Sequence, residues 1–173
     1  GEQNLYRVTA TLYHGKEIVD TTEFNFGIRT VRLVKSDTTD NSGNGEFCFY
    51  VNGVRTYIRG TNWVSLDAFH SRDGERLKKA LDINCNAVRC WGGSVYEDRE
   101  FFDFCDKNGI LVWQDFAMGC ATYPQNREFL EKMRVETEFI VKKLRKHTSL
   151  ALWAGDNECD EAAAYWLDKS LSR

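Results

Sequence analysis

Short apolar runs alternate with amphipathic helical segments from about residue 57 onward, and this rhythm limits the fold more than any other feature. Asn86–Trp91, Ile110–Phe116 and Leu150–Trp153 read as strands, the last buried on both faces because neither carries a charge. A first strand is expected near Tyr57–Arg59. Helices are expected at about 74–83, 98–108 and 127–147, with another over Asp160–Leu171. The second sets Phe101, Phe102 and Cys105 on one stripe and stops at Gly109. The third turns Phe129, Met133, Ile140 and Leu144 inward. Strands and helices alternating at roughly 25–40-residue intervals imply right-handed βαβ units and a parallel sheet. Four strands in about 115 residues, where an eightfold barrel takes about 250, predict the N-terminal half of a (β/α)8 barrel over residues 37–173. A small doubly wound domain is the alternative. It lacks support, because no Gly-x-Gly-x-x-Gly follows the first strand, and Trp91-Gly92-Gly93 lacks the Lys and Ser/Thr of a phosphate loop.

Upstream the period changes to two. Tyr6, Val8, Ala10 and Leu12 alternate with Arg7, Thr9 and Thr11, and Thr22, Phe24, Phe26 and Ile28 form a second such series. These predict half-buried strands joined by a turn at His14-Gly15-Lys16, with Val31 and Leu33 extending the second or starting a third. So few strands bury no face by themselves, so residues 1–36 read as the tail of a β-sandwich. Asp37–Gly45 is a loop by composition and the expected boundary, and Asn52-Gly53 marks a hairpin.

The 23 Lys+Arg and 26 Asp+Glu leave a net charge of −3 with no basic block, which excludes nucleic acid or an anionic membrane as the expected main partner. Aromatic residues at 13% suit a neutral ligand such as a sugar better. The six cysteines show no Cys-x-x-Cys spacing and lie mostly in apolar runs, so buried free thiols are expected rather than disulfides or a structural zinc. No signal peptide, 18-residue apolar run or glycosylation sequon is present, and a leader on a longer parent stays open.

Polar residues gather where each strand of the second half ends. They are Arg59-Gly-Thr-Asn62-Trp63, Arg89-Cys-Trp91-Gly-Gly93, Gln114-Asp115 and Asp156-Asn157-Glu158. Four such clusters on one rim of a parallel sheet outline a site. A carboxylate beside an amide that can bond a sugar hydroxyl is what a general acid for glycosidic cleavage requires. The competing account of Asp156-Asn157-Glu158 is a helix N-terminus, with Asp156 or Asn157 capping. Trp91, beside two glycines, is expected to touch ligand, and Trp113, inside an apolar strand, to be core. Arg59 and Arg89 could equally pair with Asp115 or Glu158.

Phe26-Gly-Ile-Arg29, Val51-Asn-Gly53, Arg59-Gly-Thr-Asn-Trp63, Arg89-Cys-Trp-Gly-Gly93, Tyr96-Glu97, Cys105-Asp106, Gly109-Ile-Leu-Val-Trp-Gln-Asp115, Cys120-Ala-Thr-Tyr-Pro124 and Leu152-Trp-Ala-Gly-Asp-Asn-Glu158 together resemble the β-mannosidase branch of glycoside hydrolase family 2. The resemblance covers nearly the whole chain, in order. It implies that residues 1–36 end an Ig-like sandwich and that the barrel follows. It implies a retaining exo-β-glycosidase with Glu158 as acid/base, Asn157 on the 2-hydroxyl and Trp91 lining the sugar subsite. Asp115, Arg59, Asn62 and Arg89 complete the expected substrate-binding set. The nucleophile, a second Glu after a late strand, lies outside this chain. No metal or organic cofactor is needed. One departure bears on specificity: typical members carry Asn where this chain has Asp156. β-Galactosidase or exo-β-glucosaminidase specificity and a non-catalytic carbohydrate-binding module are the rival functions.

Three expectations follow. Glu158, Asn157, Trp91 and Asp115 should open onto one cavity. The chain alone should not hydrolyse aryl β-mannosides. Its open edges and an apolar inner face should make it self-associate. For a longer parent, periplasmic, secreted and lysosomal placements all stay open.

Overall fold

The computed structural model describes residues 3–36, 45–64 and 73–166. Strand β1 (Tyr6–His14) pairs antiparallel with β2 (Glu17–Phe26) around a turn at Gly15, as its alternation implies. Strands β3 (Val31–Lys35), β4 (Phe47–Val51) and β5 (Val54–Thr56) form a second antiparallel sheet. Asn52 and Gly53, both at positive φ, make the tight turn between β4 and β5. The residues Val31 and Leu33 form a strand of their own, and β3 pairs with β4 across the domain boundary expected at 36/37. Most of the Asp37–Gly45 loop lies outside the described residues. The β1–β2 ribbon leaves Tyr6, Leu12, Tyr13, Ile18 and Val19 exposed, since two strands have nothing to bury them against.

The rest is a parallel sheet in the order β6 (Gly60–Trp63), β7 (Ala87–Cys90), β8 (Leu111–Asp115), β9 (Leu150–Ala154). Helices α1 (Asp73–Asp82), α2 (Arg99–Asn108) and α3 (Arg127–Leu144) connect successive strands. Local chemistry sets their ends. The Asp98 carboxylate accepts from Phe101 N–H at 3.0 Å, Asn126 does the same for Phe129 at 2.9 Å, and Gly109 ends α2 at φ 68°. After β9 comes one helical turn, α4 (Cys159–Glu161), then a π turn, Ala162–Trp166. The helix expected as far as Leu171 runs outside the described residues.

The core lies between the helices and one face of this sheet. Trp63, Val88, Cys90, Val112 and Leu150 meet Leu77, Phe101, Phe102, Cys105, Ile140 and Leu144 there. Phe129 and Met133 are only half-buried on α3. No helix among the described residues is long and apolar enough to cross a membrane.

The amino end of the sheet is tied to the linker after β2. Gly27 N–H donates to Thr148 Oγ1 at 2.8 Å, and Arg29 donates to the Thr148 and Leu150 carbonyls. Behind this, buried Asp106 accepts from Ser149 N–H and hydrogen-bonds His147 Nδ1, each at 2.7 Å. Asp103 lies near enough to complete a three-donor cluster with Asp106 and His147. Both Asp106 oxygens are already engaged, so the cluster fixes the α3–β9 turn.

Candidate active site

Register and the two-residue period of a strand place Asn62, Arg89, Trp113 and Leu152 side by side on the sheet face away from the helices. This face is mixed, not the wholly apolar surface expected: Asn62, Arg89 and Trp113 share it with Leu111 and Leu152. Trp113 is half-buried here, outside the core cluster, with the Arg89 guanidinium 5.7 Å from its ring. Trp63, expected just beyond a strand and near the polar cluster, instead closes the helix-side core and donates to Glu97 Oε1 at 2.8 Å.

Asp115 has no exposure. Its carboxylate accepts from Arg89 Nη2 at 2.7 Å and Nε at 3.3 Å, from Trp113 Nε1 at 2.9 Å and from Gly92 N–H at 3.1 Å. It therefore holds the site from beneath rather than opening onto it. Arg89 Nη2 also donates to Asn157 Oδ1 at 2.9 Å, and Nη1 lies 3.5 Å from Asn62 Oδ1. The amide is thereby oriented: its oxygen faces Arg89, so its nitrogen faces Glu158 Oε2, 3.2 Å away.

Glu158 follows β9 in left-handed backbone, φ 58°, and is exposed. A non-glycine residue there is held by its surroundings. Asn157 N–H donates to Met118 O and Cys120 N–H to Asn157 O, at 3.0 and 2.8 Å, joining the loops after β8 and β9. Two tyrosines brace the first loop: Tyr96 Oη accepts from Ala117 N–H and Tyr123 Oη from Gly119 N–H, at 2.8 and 2.9 Å.

Two glycines permit this arrangement. A Cβ on Gly92 would lie 2.4 Å from Met118 O, and one on Gly93 would lie 2.2 Å from the Trp91 indole. Trp91 thus folds over its own turn. An open cleft of ≈ 300 Å³ is lined by Asn62, Val64, Arg89, Trp91, Asn157 and Glu158.

Five of the seven expected site residues line this cleft, and Asp115 lies behind it. Arg59 does not join them. The strand begins at Gly60 instead of ending at Arg59, so Arg59 sits at the amino end of the sheet, donating to Asn84 O and the Asn86 side chain. Asp156 has a local role: its carboxylate accepts from Cys159 N–H at 3.0 Å, two residues ahead of the Glu158 N-cap, a contact an Asn would make as well. The N-cap of α4 is Glu158 rather than Asp156 or Asn157, and it makes no side-chain cap bond, while Asn157 and Glu158 line the cleft.

Sequence reasoning missed Cys120, which is exposed and touches Glu158. Its signal was its place in Cys120-Ala-Thr-Tyr-Pro124, one of the segments that carry the resemblance, in the loop after β8. All six cysteines are free thiols, with Cys90 and Cys105 buried as expected.

A second cavity of ≈ 310 Å³ lies at the opposite end of the sheet, beside Gly27, Arg29, Asp106 and Ser149. It marks the junction with the linker.

No family model matches the chain. Individual proteins do. A β-mannosidase B of Thermothelomyces thermophilus is 40% identical over 163 residues, 91% of this chain and 19% of that protein. The crystal structure of a β-D-mannosidase from Dictyoglomus thermophilum superimposes with a TM-score of 0.83 at 39% identity, covering 91% of this chain and 20% of that one. An exo-chitosanase of Amycolatopsis orientalis follows at 0.67 and 25%, covering 88% and 19%. These relatives place the chain among the glycoside hydrolases. Within them it is a β-mannosidase-like segment of family 2 type. The chain spans about a fifth of the length of the relatives it matches.

Proposed function

We propose that this segment supplies the acid/base half of the active site of a longer retaining exo-β-glycosidase acting on terminal β-mannosides. In this reading β6–β9 are the first four strands of a (β/α)8 barrel. Residues 1–36 close a preceding Ig-like sandwich, and β3 runs on into the barrel's entry hairpin.

The observation that carries the proposal is the placement of Glu158. Its Oε2 is bonded by an amide that Arg89 and Asp115 hold in place, and the residue lines the same cleft as Trp91. A second carboxylate about 5–5.5 Å away, on the remainder of the polypeptide, would attack the anomeric carbon from the opposite face. Glu158 would protonate the departing oxygen and then take a proton from the incoming water. Trp91 offers an indole face to the sugar ring, and Asn62 and Arg89 offer polar contacts to its hydroxyls. The identity of 39–40% to β-mannosidases against 25% to the exo-chitosanase favours mannosides over glucosaminides.

The test is Glu158→Gln in the complete polypeptide. With no proton to give, kcat/KM should fall strongly for substrates with poor leaving groups and much less for activated aryl glycosides. Equal losses on both would remove Glu158 from the acid role.

A further inference from the structure

Cys120 faces Glu158 from the neighbouring loop and has no part in the chemistry so far. Its Sγ lies 3.4 Å from Glu158 Oε2 and 3.3 Å from Asn157 Nδ2. Asn157 Nδ2 is itself 3.2 Å from the same Oε2, so the three groups form a closed triangle. Backbone bonds fix it: Gly119 bridges Asn157, and Cys120, like Glu158, is left-handed, at φ 53°. Two facing non-glycine residues in that conformation mark a locally imposed geometry.

The hydrogens can be placed. Asn157 Oδ1 accepts from Arg89, so its two amide hydrogens point to Cys120 Sγ and Glu158 Oε2. The thiol accepts one of them and donates its own S–H to the carboxylate. Oε2 then receives two donors. Oε1 receives none among the described residues.

We propose that Cys120 is a positioning residue for Glu158: with Asn157 it occupies Oε2, so that the transferable proton is carried on Oε1. This rests on Glu158 being the acid/base. In the first half-reaction the Oε1 proton passes to the glycosidic oxygen as the carbon–oxygen bond breaks. The bonding electrons leave with that oxygen, the second carboxylate forms the new bond to the anomeric carbon, and Glu158 is left ionised. In the second half-reaction Oε1 takes a proton from water as that water displaces the carboxylate. The thiol bond shortens neither bond path. It keeps the carboxyl from rotating the wrong oxygen toward the substrate.

The experiment compares Cys120→Ala, Cys120→Ser and Glu158→Gln in the complete polypeptide, on aryl β-mannosides with poor and good leaving groups across pH. Cys120→Ala should lower kcat/KM about two- to tenfold for the poor leaving group, the worth of one modest hydrogen bond. The activated substrate should change little, and Cys120→Ser, which keeps a donor, should recover most of the loss. No loss on either substrate, or equal loss on both, overturns the positioning role. Failure of the acid/base reading is seen separately, as equal losses in Glu158→Gln. Should Cys120→Ala not fold, the contact is read on the chain itself by iodoacetamide labelling of Cys120. Removing the neighbouring negative charge in Glu158→Gln should speed labelling several-fold, and an unchanged rate overturns the contact.

Discussion

Arg89 lies on β7 and Asn157 in the loop after β9, two strands away, yet Arg89 Nη2 sits 2.9 Å from Asn157 Oδ1. The guanidinium spans the gap because buried Asp115, on the strand between, holds it from below. Strand-end geometry at Glu158 is thus set by a charge pair on the sheet.

Breaking that pair should be destabilising. Arg89→Ala leaves Asp115 buried with only the Trp113 and Gly92 donors, and loss of one partner of a buried pair costs about 3 kcal/mol. Urea denaturation should show it, with Arg89→Lys intermediate because a lysine cannot make the forked contact. A change below about 0.5 kcal/mol would mean that solvent satisfies Asp115.

Gly93→Ala should expel the Trp91 indole from its turn, since the added Cβ would fall within 2.2 Å of the ring. Near-ultraviolet circular dichroism and tryptophan fluorescence should change, and stability should fall by about 1–3 kcal/mol, the usual range for overpacking. Unaltered spectra would place the indole elsewhere.

Asp106→Ala should cost about 2–4 kcal/mol, because it strands both the Ser149 N–H and His147 Nδ1. Asp106→Asn keeps an acceptor for Ser149 and should lose less. Thermal denaturation of the two variants ranks them directly.

Cys120 should be exposed but slow to alkylate. Desolvation, followed by the hydrogen bond to Glu158, pushes its thiol up from the ordinary value. A raised value means less thiolate at any given pH, so labelling at pH 7 should trail a free cysteine and should catch up only above the usual thiol range of about 8.5. Peptide mapping after iodoacetamide pulses at several pH values checks this. Labelling as fast as a free thiol at pH 7 would contradict it.

Both β6 and β9 present open edges among the described residues. The chain by itself should therefore self-associate at high concentration, which sedimentation velocity measures. A stable monomer would show that the edges are protected. Asn62 and Arg89 on the inner face make strand pairing, rather than apolar contact, the expected mode.

Much of this architecture was legible because its signals are local. The Asn52-Gly53 turn, the Gly109 stop and the apolar runs of β7, β8 and β9 each reflect a preference that the segment carries by itself. Strand β6 was misplaced because Gly60, Thr61 and Asn62 are polar or small and give no period to read. Asp115 looked like a pocket residue because its position at a strand end is visible in the sequence. Its offset pairing with Arg89 on the next strand is not. The inner face was mistaken for a wholly apolar one because Arg89 and Trp113 sit in otherwise apolar runs, and the face they occupy is decided only by pairing. Asp106 and His147 were missed because helical periodicity finds apolar stripes, while a buried charged pair announces itself only when two distant elements meet. Cys120 opened one of the segments that carry the resemblance, but nothing in that segment says that its thiol meets Glu158.

The left-handed backbone at Glu158 has a practical consequence. A glycine there would adopt the same conformation without a Cβ penalty of about 1 kcal/mol. A library screened only for heat resistance would therefore enrich glycine at position 158 and, under the role proposed for Glu158, discard the acid while keeping the fold. A higher melting temperature then reports only the fold, and selection for robustness has to read turnover of the complete polypeptide in the same round.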